Sequence, residues 1–338
     1  MPPYRPVAGR TTGLPAEWQT RLMSESASGE ASTRTVVVAV AVNLAIAFAK
    51  GAAAALTGSA ALWAETAHSL ADTGNEVLLF VGLRRSGRPA DERHPFGYGQ
   101  ERWFWAFLAA IGIFVVGGVL SIDEGVDAIR HPKPLTNVPV GVGVLVVSLA
   151  LEALSWRTAH AQLREEARAR RRSLAEHVRS ASDPTATTVL LEDSAAIVGI
   201  GLALGALVLH WATGWTGWDA GASILIGLLL VGVAFLVARR SKGLLIDESP
   251  PPDVLERLRG RIVAEPWVGA IESLTAVYIG PQRVLVMVRL LPVAEVARLP
   301  AEELMAKTYD LRASLCAVEV IADVEITLVP GADERSST

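Results

Sequence analysis

The sequence predicts an α-helical membrane protein of six transmembrane helices, followed by a C-terminal cytosolic α+β domain of ferredoxin-like type. Three observations predict it: long apolar blocks, basic residues that alternate from loop to loop, and a change to soluble composition after Asp247. Apolar residues make up 51% of the 338 and charged residues 20%, low for a soluble chain of this length. The apolar residues fall in runs of about 20, the length that crosses a hydrocarbon core of roughly 30 Å.

The six spans read as residues 35–56, 60–83, 103–127, 138–160, 184–210 and 218–238. The first two are joined only by Leu56-Thr57-Gly58-Ser59, which makes them antiparallel neighbours. Trp103 and Trp105 open the third span, and Trp211, Trp215 and Trp218 surround the turn between the fifth and sixth. Both sets are expected at an aromatic belt. Asp183 and Pro184 mark the start of the fifth span as N-cap and first helical residue.

Basic residues alternate. Arg5, Arg10 and Arg21 precede the first span; Arg85, Arg88, Arg93 and Arg102 lie between the second and third. Arg164, Arg168, Arg170, Arg171, Arg172 and Arg179 lie between the fourth and fifth, and Arg239, Arg240 and Lys242 follow the sixth. The other turns hold only Arg130 and Lys133. The positive-inside rule therefore places both termini in the cytoplasm, as an even number of spans also requires.

Residues 1–33 are polar, rich in Pro, Gly and Ser, and lack the apolar region of a signal peptide. They read as a disordered cytosolic tail, with 34–240 as the membrane domain, 241–330 as the cytosolic domain and 331–338 as a second disordered tail. The cytosolic domain begins after the linker Ser249-Pro250-Pro251-Pro252 with a helix carrying Leu255, Leu258 and Ile262. Two strand-like runs follow, Ile271–Ile279 and Arg283–Leu291, then a helix with Leu304, Leu311 and Leu315 on one side. The last run, Glu319–Leu328, alternates, with Val320, Ala322, Val324, Ile326 and Leu328 on one face.

Ionisable residues inside a span are functional-site hypotheses by default, because burying them costs several kcal/mol. The second span holds Glu65, His68, Asp72, Asn75 and Glu76. His68 and Asp72 are four residues apart and share a helix face, with Asn75 close to it. Imidazole and carboxylate at that spacing make half of a tetrahedral zinc site. The other half must come from a second helix, and the fifth span offers Glu192 and Asp193 at similar depth to Asp72. Lys50 and Asn43 read as packing, hydrogen-bonding or snorkelling groups, and Glu152 either contacts the site or pairs with Lys50. Asp123 and Glu124 read as solvated, and the run Arg164–Arg172 as a lipid-facing charge cluster. A single cysteine, Cys316, excludes a disulfide framework and a Cys-rich zinc site. The isolated His177 gives no support for a metal cluster in its loop.

The stretch Leu56–Phe107, containing HSLAD and HPFGYGQER, resembles the second-span region of cation diffusion facilitator transporters. TTVLLEDSAAIVG resembles their fifth span, and the C-terminal domain matches theirs in order and size, so the likeness runs from about Thr35 to Pro330. The resemblance implies a homodimer held partly by the cytosolic domain, and export of a divalent metal from the cytoplasm in exchange for protons. Zinc is the expected cargo, with manganese, iron(II) and cobalt as alternatives. His68, Asp72 and Asp193 match the family's metal ligands. Zinc members usually carry histidine four residues before the fifth-span aspartate, where this chain has Val189. A branch that includes a mitochondrial zinc transporter resembles this chain in its Glu-Asp pair. Glu192 or Asn75 is thus the candidate replacement ligand, although Glu192 lies about 100° around a regular helix from Asp193.

No histidine lies beyond His210, so the cytosolic domain is expected to dimerise rather than hold a zinc cluster. An intramembrane metalloenzyme would use the same ligands around an activated water, but no HExxH or Gly-x-Ser-x-Gly motif is present. A non-transporting metal sensor is opposed by the lack of soft ligands in the cytosolic domain. No enzymatic activity, no resident cofactor and no nucleic-acid partner is expected; the partners are metal, protons and the bilayer. The Ala/Val/Arg-rich composition and the missing signal peptide suggest the plasma (inner) membrane of a bacterium.

Overall fold

The computed structural model describes residues 40–169, 173–174, 184–318 and 320–329. The N-terminal tail, the first residues of the first span, Arg170–Arg172, His177, Arg179, the Asp183 cap and the 331–338 tail lie outside the described residues.

Among the described residues, six long helices form the bundle: α1 (Val40–Thr57), α2 (Ala60–Ser86), α3 (Glu101–Arg130), α4 (Val138–Ala169), α5 (Pro184–Thr213) and α6 (Gly217–Leu245). All except α2 are long and apolar enough, by length and composition, to cross a membrane. With 27 residues α2 has the length, but its ionisable residues lower its hydropathy. It compensates by position, packing against α3, α5 and α6. Its apolar neighbours, among them Leu145, Ile200, Leu207, Ile226 and Leu230, form one continuous core with Leu62.

The start of α2 explains why the α1–α2 turn can be so short. Ser59 caps the helix by accepting from the Leu62 N–H at 3.1 Å, and its hydroxyl donates to Asp219 Oδ1 of α6 at 2.5 Å. The Ala60 N–H donates to Asp219 Oδ2 at 2.6 Å. A carboxylate from another helix thus satisfies donors that the first turn of a helix leaves orphaned. At the same end, the Leu56 carbonyl of α1 accepts from the Thr136 hydroxyl and the Asn137 amide at 2.9 and 3.2 Å. Arg84 and Arg85 close the last turn of α2, where the helix dipole favours cations.

Helices α3 and α6 cross at backbone contact. A Cβ on Gly125 would stand 2.8 Å from the Ala220 carbonyl oxygen, and one on Gly227 2.8 Å from that of Gly118. Such close crossings rely on residues without side chains. At this seam, Ile113–Val119 winds as a π segment inside α3, around the Gly117-Gly118 pair.

The small domain contains α7 (Pro252–Val263), β1 (Val268–Gly280), β2 (Arg283–Pro292), α8 (Ala301–Cys316) and β3 (Ile321–Leu328). Its sheet order is β1-β2-β3, with β1 antiparallel and β3 parallel to β2. Val254, Leu258 and Ile262 of α7 and Leu311 and Leu315 of α8 pack on the strands. The clean alternation expected along the last strand breaks at its start. The register with β2 slips between Val284 and Leu285, passing over Ala322, so Ile321 is buried and Ala322 exposed.

The domain is seated on the bundle. Trp103, expected at the lipid interface, is instead fully buried in the core of the small domain together with Leu244 of α6. An indole next to a docked domain gains more by burial there than at a headgroup layer. Arg240 binds both carboxylate oxygens of Glu248 at 2.7 and 2.9 Å. The loop before α3 touches the β1–β2 turn so closely that a Cβ on Gly99 would stand 2.6 Å from the Ile279 carbonyl oxygen. That loop is folded by Asp91, which accepts from the His94 N–H at 2.8 Å and the Tyr98 hydroxyl at 2.7 Å. The Tyr98 hydroxyl, with these N–H groups, holds the Asp91 carboxyl below its usual range.

Asp219→Ala removes both acceptors at the buried start of α2 and is expected to lower stability by about 3 kcal/mol. Thermal unfolding in detergent measures it, and an unchanged midpoint would refute the cap.

Candidate metal centre

His68 and Asp72 face each other on α2 as the four-residue spacing predicts: Nε2 of the imidazole lies 3.2 Å from Asp72 Oδ2. Both imidazole nitrogens are buried without an aligned hydrogen bond, and Asp72 Oδ1 is equally unpartnered. Buried polar atoms are normally satisfied, so orphans gathered at one place mark it as functional rather than structural.

The two acidic residues of the fifth span turn to different helices. Asn75 donates to Glu192 Oε2 at 2.5 Å, drawing that carboxylate toward α2. Asp193 Oδ2 accepts from Ser155 of α4 at 2.8 Å, and Ser194 is held by the indole of Trp156 at 3.0 Å. Although consecutive in sequence, Glu192 and Asp193 both line one cavity of about 280 Å³. The cavity is lined by α1, α2, α4 and α5, and it is wide enough to be reached by both carboxylates despite the roughly 100° between them.

Asn43 of α1, Asp72 and Glu76 of α2, and Glu152 of α4 complete the polar lining. Asn43 donates to Glu76 Oε1 at 2.7 Å. Val189, where zinc members carry a histidine, also lines the cavity and offers no donor atom. His68 is not among the lining residues and stands behind Asp72, while Asn75 reaches the cavity through Glu192. Among the described residues, no three His, Cys, Asp or Glu side chains converge closely enough to grip one bare ion. The candidate ligands are therefore gathered around a shared space without closing on a single point.

Sequence reasoning missed Ser155 altogether and left Glu152 between two roles. The structure puts Glu152 at the cavity. Lys50, its other possible partner, bonds Glu65 Oε2 at 3.0 Å and Ser69 Oγ at 2.9 Å, all fully or nearly fully buried. The one signal for Glu152 was a lone carboxylate in an apolar span; for Ser155, a hydroxyl three residues further on, there was none.

The cation efflux transmembrane domain family matches residues 36–246 of the chain. The chain belongs to the cation diffusion facilitator family. The proton-coupled zinc antiporter SLC30A9, mitochondrial, of Xenopus laevis is 34% identical over 252 residues, covering 74% of this chain and 45% of that protein. Metal tolerance protein C4 of Arabidopsis thaliana is 32% identical over 62% of this chain and 47% of its own length. Zinc transporter ZitB of Escherichia coli is 29% identical over 62% of this chain and 61% of its own. This cation diffusion facilitator thus spans about half the length of the first two relatives. The mitochondrial designation of SLC30A9 proteins from frog, human, orangutan and mouse overturns the bacterial plasma membrane read from composition. Ala/Val/Arg richness reports the chemistry of a bilayer, not which bilayer it is.

The Lys50–Glu65 pair gives a test of how charge is held beside the centre. Removing one partner of a buried pair strands the other, so Lys50→Ala is expected to destabilise by about 3–5 kcal/mol. The double replacement Lys50→Met/Glu65→Leu should recover most of that loss in thermal unfolding. A Lys50→Ala protein as stable as the wild type would show the pair to be immaterial.

Proposed function

We propose that this chain carries a divalent metal cation, zinc first among them, out of the cytoplasm in exchange for protons. The observation that carries the reading is the contact of His68 with Asp72 beside a cavity lined by carboxylates, three of which leave a buried oxygen unpartnered. A proton or a cation offsets the charge gathered around such a space. The zinc antiporter and zinc transporter names of two relatives, and the mixed nitrogen and oxygen donors, favour zinc.

In the proposed cycle His68, Asp72 and Asp193 hold the ion, with Glu192 in place of the histidine that Val189 replaces. Asn75 and Ser155 orient the two α5 carboxylates and keep one oxygen of each fixed. Metal ligands must be deprotonated to bind, so loading the ion releases protons and reprotonation ejects it. Both termini face the cytoplasm in this reading, and two copies pair through their small domains.

Metal flux into proteoliposomes with an imposed pH gradient tests the proposal. Wild type is expected to carry zinc, and Asp72→Ala and Asp193→Ala each to lose at least tenfold of the flux. His68→Ala is expected to abolish metal-coupled proton movement. Folded wild-type protein that moves zinc, manganese and iron(II) no faster than empty vesicles would overturn it.

A further inference from the structure

The cavity holds more carboxylate than a four-ligand zinc site uses. Glu76 of α2 and Glu152 of α4 stand in its wall with Glu192 and Asp193, and Asp72 connects it to His68. Neutral donors account for one oxygen each of Glu76, Glu192 and Asp193. Glu76 Oε2, Asp72 Oδ1 and Glu192 Oε1 are left buried and unpartnered. Glu192 is only 5% exposed, and with its other oxygen tied to Asn75, the free one is the acceptor it brings to the cavity. Among the described residues, no arginine or lysine stands in the wall, and Lys50 is engaged by Glu65 and Ser69.

Size and spacing say what form of cation fits. Among the described residues, no three ligand side chains close on a point, so the wall does not grip a bare ion. A space of about 280 Å³ has room for several waters, each taking roughly 30 Å³ in the liquid. Carboxylates spread around such a space contact an ion through its water shell, and hard divalent cations give up that shell reluctantly. Water-bridged contacts are nearly as good as direct ones and tolerate longer spans.

We infer that this cavity is a loading seat that takes a divalent cation with its water shell, held by Glu76 and Glu152, before the ion is stripped at His68 and Asp72. The inference rests on the transport reading above and adds to it two binding residues and an order of events. Glu152 brings α4 into contact with the cargo, and Asn43 fixes Glu76 from α1. The seat selects for charge and hydration, whereas His68 selects for a nitrogen-seeking metal.

Manganese(II) serves as probe, bound to the purified full chain in detergent and followed by electron paramagnetic resonance, with proton hyperfine spectra to count its waters. The parent is His68→Ala, which removes the stripping ligand and leaves the cavity wall intact. It is expected to bind manganese that keeps most of its waters. Adding Glu76→Gln and Glu152→Gln together should weaken that binding at least tenfold. Glu152→Asp, which keeps the charge, should stay within about threefold of the parent and controls for folding.

Binding by the double glutamine variant within twofold of its parent would overturn the seat. So would bound manganese stripped of water, or no binding at all by His68→Ala. Zinc flux in proteoliposomes separates the two ideas. Flux with no hydrated site leaves transport standing without the seat. A hydrated site that needs Glu76 and Glu152 in a protein without flux supports the seat and removes transport.

Discussion

A carboxylate buried among apolar helices must be met by a donor, a proton or a cation, and α2 carries three of them, Glu65, Asp72 and Glu76. Everything around α2 is arranged by how each is answered. Glu65 is met by a fixed ammonium, that of Lys50, which bonds one of its oxygens and leaves the other without a hydrogen bond; Ser69 takes a second donor from the same group. Asp72 and Glu76 are answered only in part, by an imidazole without hydrogen-bond alignment and by one amide. The first arrangement is structural; the second leaves room for a mobile charge.

The same constraint explains how α2 is turned in the bundle. The helix buries the face that carries Glu65, His68 and Asn75, packs against α3, α5 and α6, and leaves Trp63, Leu70 and Val77 exposed, while α3 and α6 close tightly through glycines. Its two ends are fixed by charge as well. Asp219 of α6 caps its start, and the loop beyond its last turn is folded by Asp91 and pressed against the β1–β2 turn. With Trp103 and Leu244 buried in the small domain, a shift of that domain would bear on α3, on α6 and on the loop leaving α2. The helix carrying His68 and Asp72 is thus mechanically joined to the soluble part of the chain.

Much of this was legible in the residue order. Span lengths, the short first turn and the His68–Asp72 contact follow from periodicity and from the cost of burying charge. The small domain's helices and strands follow from their apolar spacing. Two features resisted. The slip at Ala322 depends on how β3 registers against β2, and a parallel neighbour from across the chain leaves no mark on the strand itself. Trp103 looks like a belt residue at the mouth of a span, because its actual partners lie more than a hundred residues away.

By itself the sequence determined which groups are costly to bury and which of them share a helix: His68, Asp72 and Glu76 on α2, Glu192 and Asp193 on α5. Local spacing and the absence of water in a bilayer suffice for that. Only the tertiary structure decided how they are apportioned. Lys50 goes to Glu65 rather than to Glu152, Glu192 turns to Asn75 while Asp193 turns to Ser155, and Glu152 comes to the cavity from α4. These choices depend on how four helices are rotated against one another, which interhelical packing sets and no single helix encodes.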